Sequence, residues 1–344
     1  MNLKVNSHNE WDQLEEVIVG DGFPTSLPLL DYSFKLFFHE NLWEERVYEF
    51  GDQAINKRHC EEHSEDLEKF SGLLKSLGVK VRRPKKPKRL EKVKTPLWDS
   101  TIHPALNVRD MAMVVGDTII ESPPTCRYRY FENDYFNAGG KWIQAPKPLM
   151  TDNSFDTSWI DEEDGRQYYN DIKQKEHYMD CGHEIMFDAA NCVRMGSHIL
   201  MNVASKDKYT VWSAGLADSH IDSSFIPLKP GVALVMKDYI KEKLPSELQK
   251  WDLIYIPMKN RDKQEKATQG IKLASPRIEL NVFSVSTELI ICHPQYEQIL
   301  NKVLKKYNIE AIGSPFRHCE IFSGAHHCTT LDIKRKSKYE NYFD

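Results

Sequence analysis

The apolar positions of this chain recur as pairs of short runs, each pair joined by a tight turn. Gly-Asp, Gly-Ser, Pro-Gly and Ser-Thr occupy the turns, where such residues let a chain reverse direction in a hairpin. Two further apolar runs, at 16–20 and 327–333, have no local partner. We therefore predict a fifth strand pair from the two chain ends, beside four β-hairpins at 111–122, 192–205, 225–236 and 280–293.

Helical patterns alternate with the hairpins, which favours an α/β fold. We predict a helix at 61–77 that ends at Gly78, as a C-terminal glycine would end it. Two more helices are predicted at 296–307 and, interrupted by a proline, at 238–250. The polar stretch 151–182 reads as a long loop with at most one helix.

Repeats of this kind bury their faces only against their neighbours, so a closed ring in one domain over residues 1–344 is economical. The hairpin count indicates a small propeller of β-β-α units with the helices outside. An irregular α+β protein with ordinary hairpins fits the same periodicity, and the pattern alone does not separate the two.

Composition places the chain among soluble globular proteins, with 40% apolar and 28% charged residues. A net charge of −5 argues against a nucleic-acid binder. No apolar run approaches the ~20 residues of a membrane helix, and no targeting segment is visible. Seven cysteines without CxxC spacing fit reduced thiols, so we expect a cytoplasmic protein without disulfides.

One segment, 79–94, is strongly basic and broken by prolines. It could be an anion or nucleic-acid patch, or a solvated linker after the helix at 61–77. We favour the linker, because the rest of the chain is acidic.

Three short motifs place acidic or imidazole groups just ahead of a predicted strand: Asp110, Asp188, and the pair His220 and Asp222. In a propeller the mouths of the hairpins converge on the central channel, so these residues would share one site. Taken singly, an aspartate before a strand is usually a turn residue.

Cys328 follows small residues and two histidines near the C-terminus. An accessible cysteine beside a histidine is typical of a thiolate nucleophile. A buried structural cysteine is the plain alternative. A metal site is another, because His318, Cys319, His326 and His327 lie nearby, but zinc ligands usually come in paired short spacings and the second half-site is missing. We expect no metal.

Several segments together resemble the arginine amidinotransferases, the group that includes glycine amidinotransferase and inosamine-phosphate amidinotransferase. They run in order over nearly the whole chain: NEWDQLEEVIVG (9–20), GVKVRRP (78–84), RDMAMVVGDTIIESP (109–123), YFNAGGKWIQAPKPLM (135–150), FDAANCVR (187–194), HIDSSF (220–225) and HHCTTLDIKRK (327–336). The resemblance implies the five-bladed, pseudo-symmetric α/β-propeller of the guanidine-modifying superfamily, built from ββαβ modules.

By the same resemblance, Cys328 matches the nucleophile, His220 the general acid/base, and Asp188 the carboxylate that orients the histidine. Asp110 and Asp222 match the pair that grips the guanidinium. The implied partners are L-arginine, which would release ornithine, and an amine acceptor. Neither a metal nor an organic cofactor is implied, and a homodimer is common in the family.

The surroundings of this core depart from the family pattern. Tyr239 stands where glycine amidinotransferase has the arginine that binds the donor carboxylate. Ser275 matches one of its two substrate-binding serines, while Ala274 replaces the other, and Ser219 replaces the methionine before the histidine. The acceptor therefore stays open between glycine, an aminocyclitol, lysine and a biosynthetic amine. An arginine deiminase-like hydrolase is the main alternative function, and a non-catalytic metal-binding protein is a distant third.

Overall fold

Seventeen strands and five α-helices organise the part of the chain that this computed structural model describes, namely residues 4–22, 25–29, 31–37, 55–135, 140–155, 184–201, 210–213, 220–236, 240–256, 273 and 280–343. The strands are β1 Leu14–Val19, β2 Lys80–Arg82, β3 Glu91–Lys94, β4 Asp99–Ile102, β5 Ala112–Val115, β6 Thr118–Glu121, β7 Lys141–Ile143, β8 Cys192–Met195, β9 His198–Met201, β10 Thr210–Ser213, β11 Phe225–Lys229, β12 Val232–Val235, β13 Asp252–Tyr255, β14 Phe283–Ser286, β15 Leu289–Cys292, β16 Glu310–Gly313 and β17 Thr330–Arg335.

The α-helices lie between the strands along the chain. They are α1 Tyr32–Phe37, α2 Lys57–Ser76, α3 Val108–Met111, α4 Ile240–Lys243 and α5 Pro294–Leu304. The 3-10 turns are Arg127–Arg129, Glu132–Tyr135, Asp152–Ser154, Ala189–Asn191, Ile221–Ser223, Leu248–Lys250 and Lys305–Tyr307. No helix among the described residues is both long and apolar enough to span a bilayer.

Five three-stranded sheets share one plan within the described residues: the first strand is antiparallel to the second, and the second is parallel to the third. Their strand orders are β5-β6-β7, β8-β9-β10, β11-β12-β13, β14-β15-β16 and β17-β1-β2. The fifth sheet joins the two ends of the chain, with Val19 opposite Thr330. The four predicted hairpins and the pairing of the chain ends are thereby confirmed. The chain has an α/β fold.

The helix predictions are confirmed in position but not in every bound. The helix predicted at 61–77 is α2, which begins four residues earlier, and Gly78 adopts the left-handed φ of +83° that lets a glycine end a helix. The helix predicted at 238–250 is α4 followed, past Pro245, by a 3-10 turn. Most of the predicted loop 151–182 lies outside the described residues.

The basic segment 79–94 is not a plain linker, and that prediction needs correction. It contributes β2 and β3, and Lys80 lies 3.1 Å from the buried Glu16 of β1, which also binds Arg82. Part of its positive charge is therefore neutralised by an acidic residue of the neighbouring strand. The sequence analysis missed these two short strands because edge strands carry many charged residues, which hide the apolar pattern of a strand.

The largest apolar cluster draws its strand residues from the sheets β8-β9-β10, β11-β12-β13 and β14-β15-β16. It includes Trp11, Phe225, Leu234, Ile290 and Leu300. Leu300 belongs to α5, which packs its apolar face on this side of β15 and β16. This core holds in place the strands β8 and β11, and the residues that precede these strands form part of the site described below.

Candidate active site

The first strand of each of the five sheets is preceded by a polar side chain, and these side chains come together in space. In sheet order they are Asp110 before β5, Asp188 before β8, His220 and Asp222 before β11, Asn281 before β14, and Cys328 before β17. A short helical element leads into three of these strands: α3, which contains Asp110, and the 3-10 turns Ala189–Asn191 and Ile221–Ser223. The residues that precede the five first strands therefore share one site, although they are far apart in sequence.

His220 is held between two buried carboxylates. Its Nε2 lies 2.9 Å from Oδ2 of Asp188, and its Nδ1 lies 3.5 Å from Oδ1 of Asp110. Burial lowers the pKa of His220, but Asp110 and Asp188 outweigh it and raise this pKa to about 9. The imidazole is therefore protonated at neutral pH.

Asp188 is fully buried and keeps its charge. Its Oδ1 accepts a hydrogen bond of 2.9 Å from the Thr125 hydroxyl, while its Oδ2 faces His220. Burial raises the pKa of Asp188, but the hydrogen bond from His220 and the nearby Arg129 bring it below its ordinary value. The carboxylate and the imidazolium thus hold each other in their charged forms.

Asp110 has one oxygen satisfied and one open. Its Oδ2 accepts a hydrogen bond of 2.6 Å from Arg129, which also binds Glu132. Its Oδ1 is buried and makes no hydrogen bond to any described residue. Its ion-pair contact with His220 Nδ1, at 3.5 Å, is too long for a strong hydrogen bond, so this atom can still accept an N–H group of a ligand.

Asp222 faces the cysteine and is kept charged by a second histidine. Its Oδ2 lies 2.7 Å from Nδ1 of His327 and 3.5 Å from Sγ of Cys328. Burial raises the pKa of Asp222, but the hydrogen bond from His327 lowers it below its ordinary value. Sequence analysis named His327 only in the context of a metal; the structure makes it a partner of Asp222.

The Cys328 thiol is 6% exposed and lies among these acids. Burial, followed by the charges of Asp222 and Asp110, raises the pKa of Cys328 well above its ordinary value. Without a ligand the sulfur is therefore a protonated thiol. The expectation that a neighbouring histidine holds it as a thiolate does not describe this state.

The turn that presents Cys328 is tightly packed. Asn281 binds the turn through its side chain, with Oδ1 accepting from the Cys328 backbone N–H at 3.1 Å. A Cβ on Gly324 would lie 2.7 Å from both Asn107 Oδ1 and the Cβ of Cys328, so a larger residue cannot stand there without displacing the turn. The small residues before the cysteine serve close packing.

A buried network of charges supports the same turn from the sheet side. Arg109 donates through Nε to the His327 carbonyl at 3.1 Å and through its backbone N–H to the Cys328 carbonyl at 3.2 Å. Its guanidinium also binds Asp332 of β17 at 2.8 Å, and Arg194 of β8 binds the same carboxylate. The network ties two first strands to the cysteine loop.

The histidine and cysteine cluster considered for a metal is not brought together. His318 lies 2.7 Å from Glu62, and His326 lies 3.0 Å from the Ser314 carbonyl. Across the described residues, the one group with metal-like spacing is Asp110, Asp188 and His220, whose ligand atoms lie within 4.8 Å of one another. The protonated His220 already supplies the positive charge between those two carboxylates.

Three supporting residues escaped the sequence analysis: Arg129, Thr125 and Asn281. Asn281 could have been found by asking what precedes the fourth hairpin, since the other four strand pairs had each yielded a residue. Ser275 and Tyr239 lie outside the described residues, as do Ala274 and Ser219.

Comparison with known proteins adds to this geometry. No family model matches the chain. The L-arginine:L-lysine amidinotransferase of Pseudomonas savastanoi pv. phaseolicola is 30% identical over 98% of this chain and 96% of that protein. The structure of inosamine-phosphate amidinotransferase from Streptomyces griseus aligns over 100% of both chains, with a TM-score of 0.82 and 28% identity. An amidinotransferase of the saxitoxin biosynthetic pathway from Microseira wollei aligns over 99% of this chain and 100% of that one, with a TM-score of 0.79 and 30% identity. The chain therefore belongs to the amidinotransferase family.

Proposed function

We propose that this enzyme moves the amidino group of L-arginine to an amine acceptor through a covalent amidino-thioether on Cys328, and releases ornithine. The observation that carries the proposal is the meeting of Cys328 and the protonated His220 with the carboxylates Asp110, Asp188 and Asp222. A thiol, an acid and carboxylates that can grip a cation are the groups this transfer requires.

The arrangement of Asp110 and Asp222 suits a guanidinium donor. The guanidinium is planar and cationic, so carboxylates bind it through charge-assisted hydrogen bonds. Oδ1 of Asp110 and the charged carboxylate of Asp222 supply such acceptors near the thiol. The Pseudomonas relative is named for arginine as a substrate, which supports arginine here.

Binding of that cation also activates the cysteine. Burial, followed by the charges of Asp222 and Asp110, keeps the pKa of Cys328 high in the free enzyme, and a bound guanidinium offsets the part that is due to the two carboxylates. The thiol then loses its proton to solvent. The resulting thiolate attacks the central guanidino carbon and forms a tetrahedral adduct.

His220 supplies the proton for the departing amine. Asp188 holds Nε2, which leaves the Nδ1–H on the side of Asp110 and the bound guanidinium. Transfer of this proton to the substrate nitrogen breaks the C–N bond, releases ornithine and leaves a cationic amidino-thioether. The neutral imidazole then takes a proton from the incoming amine, whose attack expels the thiolate. The result is ping-pong transfer that needs neither a metal nor an organic cofactor.

We also propose that the five sheets are the blades of a closed five-bladed α/β-propeller of ββαβ modules, in a single domain over residues 1–344. The common strand plan of the sheets supports this, as does the position of the site residues at the start of each first strand. A closed ring is the simplest arrangement in which all five entries face one centre. A cytoplasmic location and a homodimer belong to the same proposal.

The proposal leaves the identity of the amine acceptor open. The relatives include enzymes named for lysine and for inosamine phosphate, and these belong on an acceptor panel beside glycine. We propose Ser275 as a substrate-binding residue, with Tyr239 in place of the family's carboxylate-binding arginine. Of these two positions, Tyr239 is the one that departs from the family pattern.

Product analysis tests the proposal. The enzyme is incubated with arginine and a panel of amines, and mass spectrometry follows ornithine, citrulline and guanidino compounds, with Cys328→Ser as the control. Ornithine together with one guanidinylated amine supports the transfer. Citrulline would instead indicate an arginine deiminase-like hydrolase, and release of neither product across the panel contradicts arginine as donor.

A further inference from the structure

The side chain of Asn281 stands between the sulfur of Cys328 and the backbone turn that carries it. Its Oδ1 accepts three backbone N–H groups, from Ala325 at 3.2 Å, His327 at 2.9 Å and Cys328 at 3.1 Å. Its Nδ2 lies 2.8 Å from Sγ of Cys328. Both ends of one buried amide are thus committed to the cysteine.

The orientation of this amide follows from its surroundings. Three N–H donors converge on one end, and only the oxygen of an asparagine can accept them. If the amide were turned over, its own N–H groups would face those donors. The nitrogen must therefore face the sulfur, where it can only donate.

We infer that Asn281 is a further catalytic residue, which stabilises the Cys328 thiolate through the Nδ2–H···S⁻ hydrogen bond while it fixes the turn. The inference rests on the proposed role of Cys328 as the nucleophile. The sulfur has a carboxylate oxygen of Asp222 at 3.5 Å, which disfavours a negative charge on it. A donor held at hydrogen-bond distance favours the charged form of the sulfur and opposes that effect.

The two contributions of Asn281 can be separated by substitution. Asn281→Asp keeps an oxygen for the three backbone N–H groups but replaces the donor that faces Sγ with a second oxygen. Asn281→Ala removes both ends without adding a charge. Asn301 of α5 provides a matched control, because its amide bonds both the N–H and the carbonyl of Ala311 at 2.8 Å.

The experiment measures alkylation of Cys328 by iodoacetamide as a function of pH, read from the Cys328 peptide by mass spectrometry. We expect the pKa of Cys328 to rise by at least about one unit in Asn281→Asp, which is tenfold less thiolate at a given pH. A smaller rise is expected in Asn281→Ala. The kcat/KM for arginine should fall at least about tenfold in Asn281→Asp, with the melting temperature near that of the wild type. Asn301→Asp should leave the alkylation profile unchanged.

A wild-type alkylation profile in Asn281→Asp would overturn the inference and leave the amide a structural clamp. The profile does not depend on turnover, so its failure is distinct from that of the transferase proposal. A second readout needs no substitution at Asn281. In the intact enzyme, the NMR signal of the Asn281 side-chain amide should shift with pH as Cys328 loses its proton. That titration should vanish in Cys328→Ala, and its persistence there would also overturn the inference.

Discussion

His220 Nε2 lies 2.9 Å from Oδ2 of Asp188, and the carboxylate is fully buried while the imidazole is 12% exposed. This contact fixes one face of the imidazole and leaves Nδ1 toward Asp110 at 3.5 Å. Because two carboxylates surround the ring, its proton is retained to about pH 9. In the proposed mechanism, the pair makes His220 an acid in the first half-reaction and, after it has given up its proton, a base in the second.

The first prediction concerns pH. The folded pKa of His220 is raised, so its acid form is complete well below pH 9 and is lost as pH rises through about 9. The rate of ornithine formation at saturating arginine, where the thiol has already lost its proton, should therefore have a falling limb on the alkaline side. In Asp188→Asn the falling limb should move toward the ordinary histidine pKa of about 6.5. A limb that stays in place in this variant would show that another group controls it.

The second prediction concerns rate at neutral pH. His220→Ala and Asp188→Asn should each lose roughly 10²–10⁴-fold in kcat, because the proton donor is removed or loses its orienting charge. Thr125→Val removes the hydrogen bond to the other oxygen of Asp188 and a weak one to Cys126 Sγ, and it should cost much less. Circular dichroism should show that all three variants fold. If Asp188→Asn unfolds the chain, Asp188 is a structural turn residue.

The hairpins and most of the site could be predicted from sequence because the signals were local. Apolar runs around Gly116, Gly196 and Gly231 mark reversals that any neighbouring strands would share, and all three residues adopt positive φ. The acids and the histidine before the first three hairpins stood out because charge just before a strand is conspicuous. Family resemblance then supplied their roles.

The remaining features depend on contacts distant in sequence. The third strand of each sheet is short, and β2 and β13 carry charged or half-exposed residues, so their periodicity is weak. Asn281 carries no charge, and its partner Cys328 is 47 residues away. The protonated state of the free Cys328 thiol arises from the carboxylates assembled around it, which no spacing along the chain reveals.

The third prediction concerns the guanidinium clamp. Removing one member of a buried charge pair costs about 2–5 kcal/mol, so Asp110→Asn and Asp222→Asn should each lower kcat/KM for arginine at least ~30-fold. Citrulline, which is neutral, should bind poorly to the wild type. Glu16→Gln removes another buried carboxylate, in the β1–β2 pair, and should leave arginine use near normal. Near-normal kcat/KM in both aspartate variants would remove the guanidinium from the proposal.

The central claim is that Cys328 carries the amidino group, and intact-mass spectrometry after brief exposure to arginine tests it most directly. We predict one added amidino unit, mapped to the Cys328 peptide, which disappears when an acceptor amine is supplied. Cys328→Ser should show neither the adduct nor turnover, because a serine hydroxyl lacks the thiol's access to an anionic nucleophile at neutral pH. A Cys328→Ser enzyme that still converts arginine to ornithine, or an amidino adduct on another residue, would contradict the mechanism.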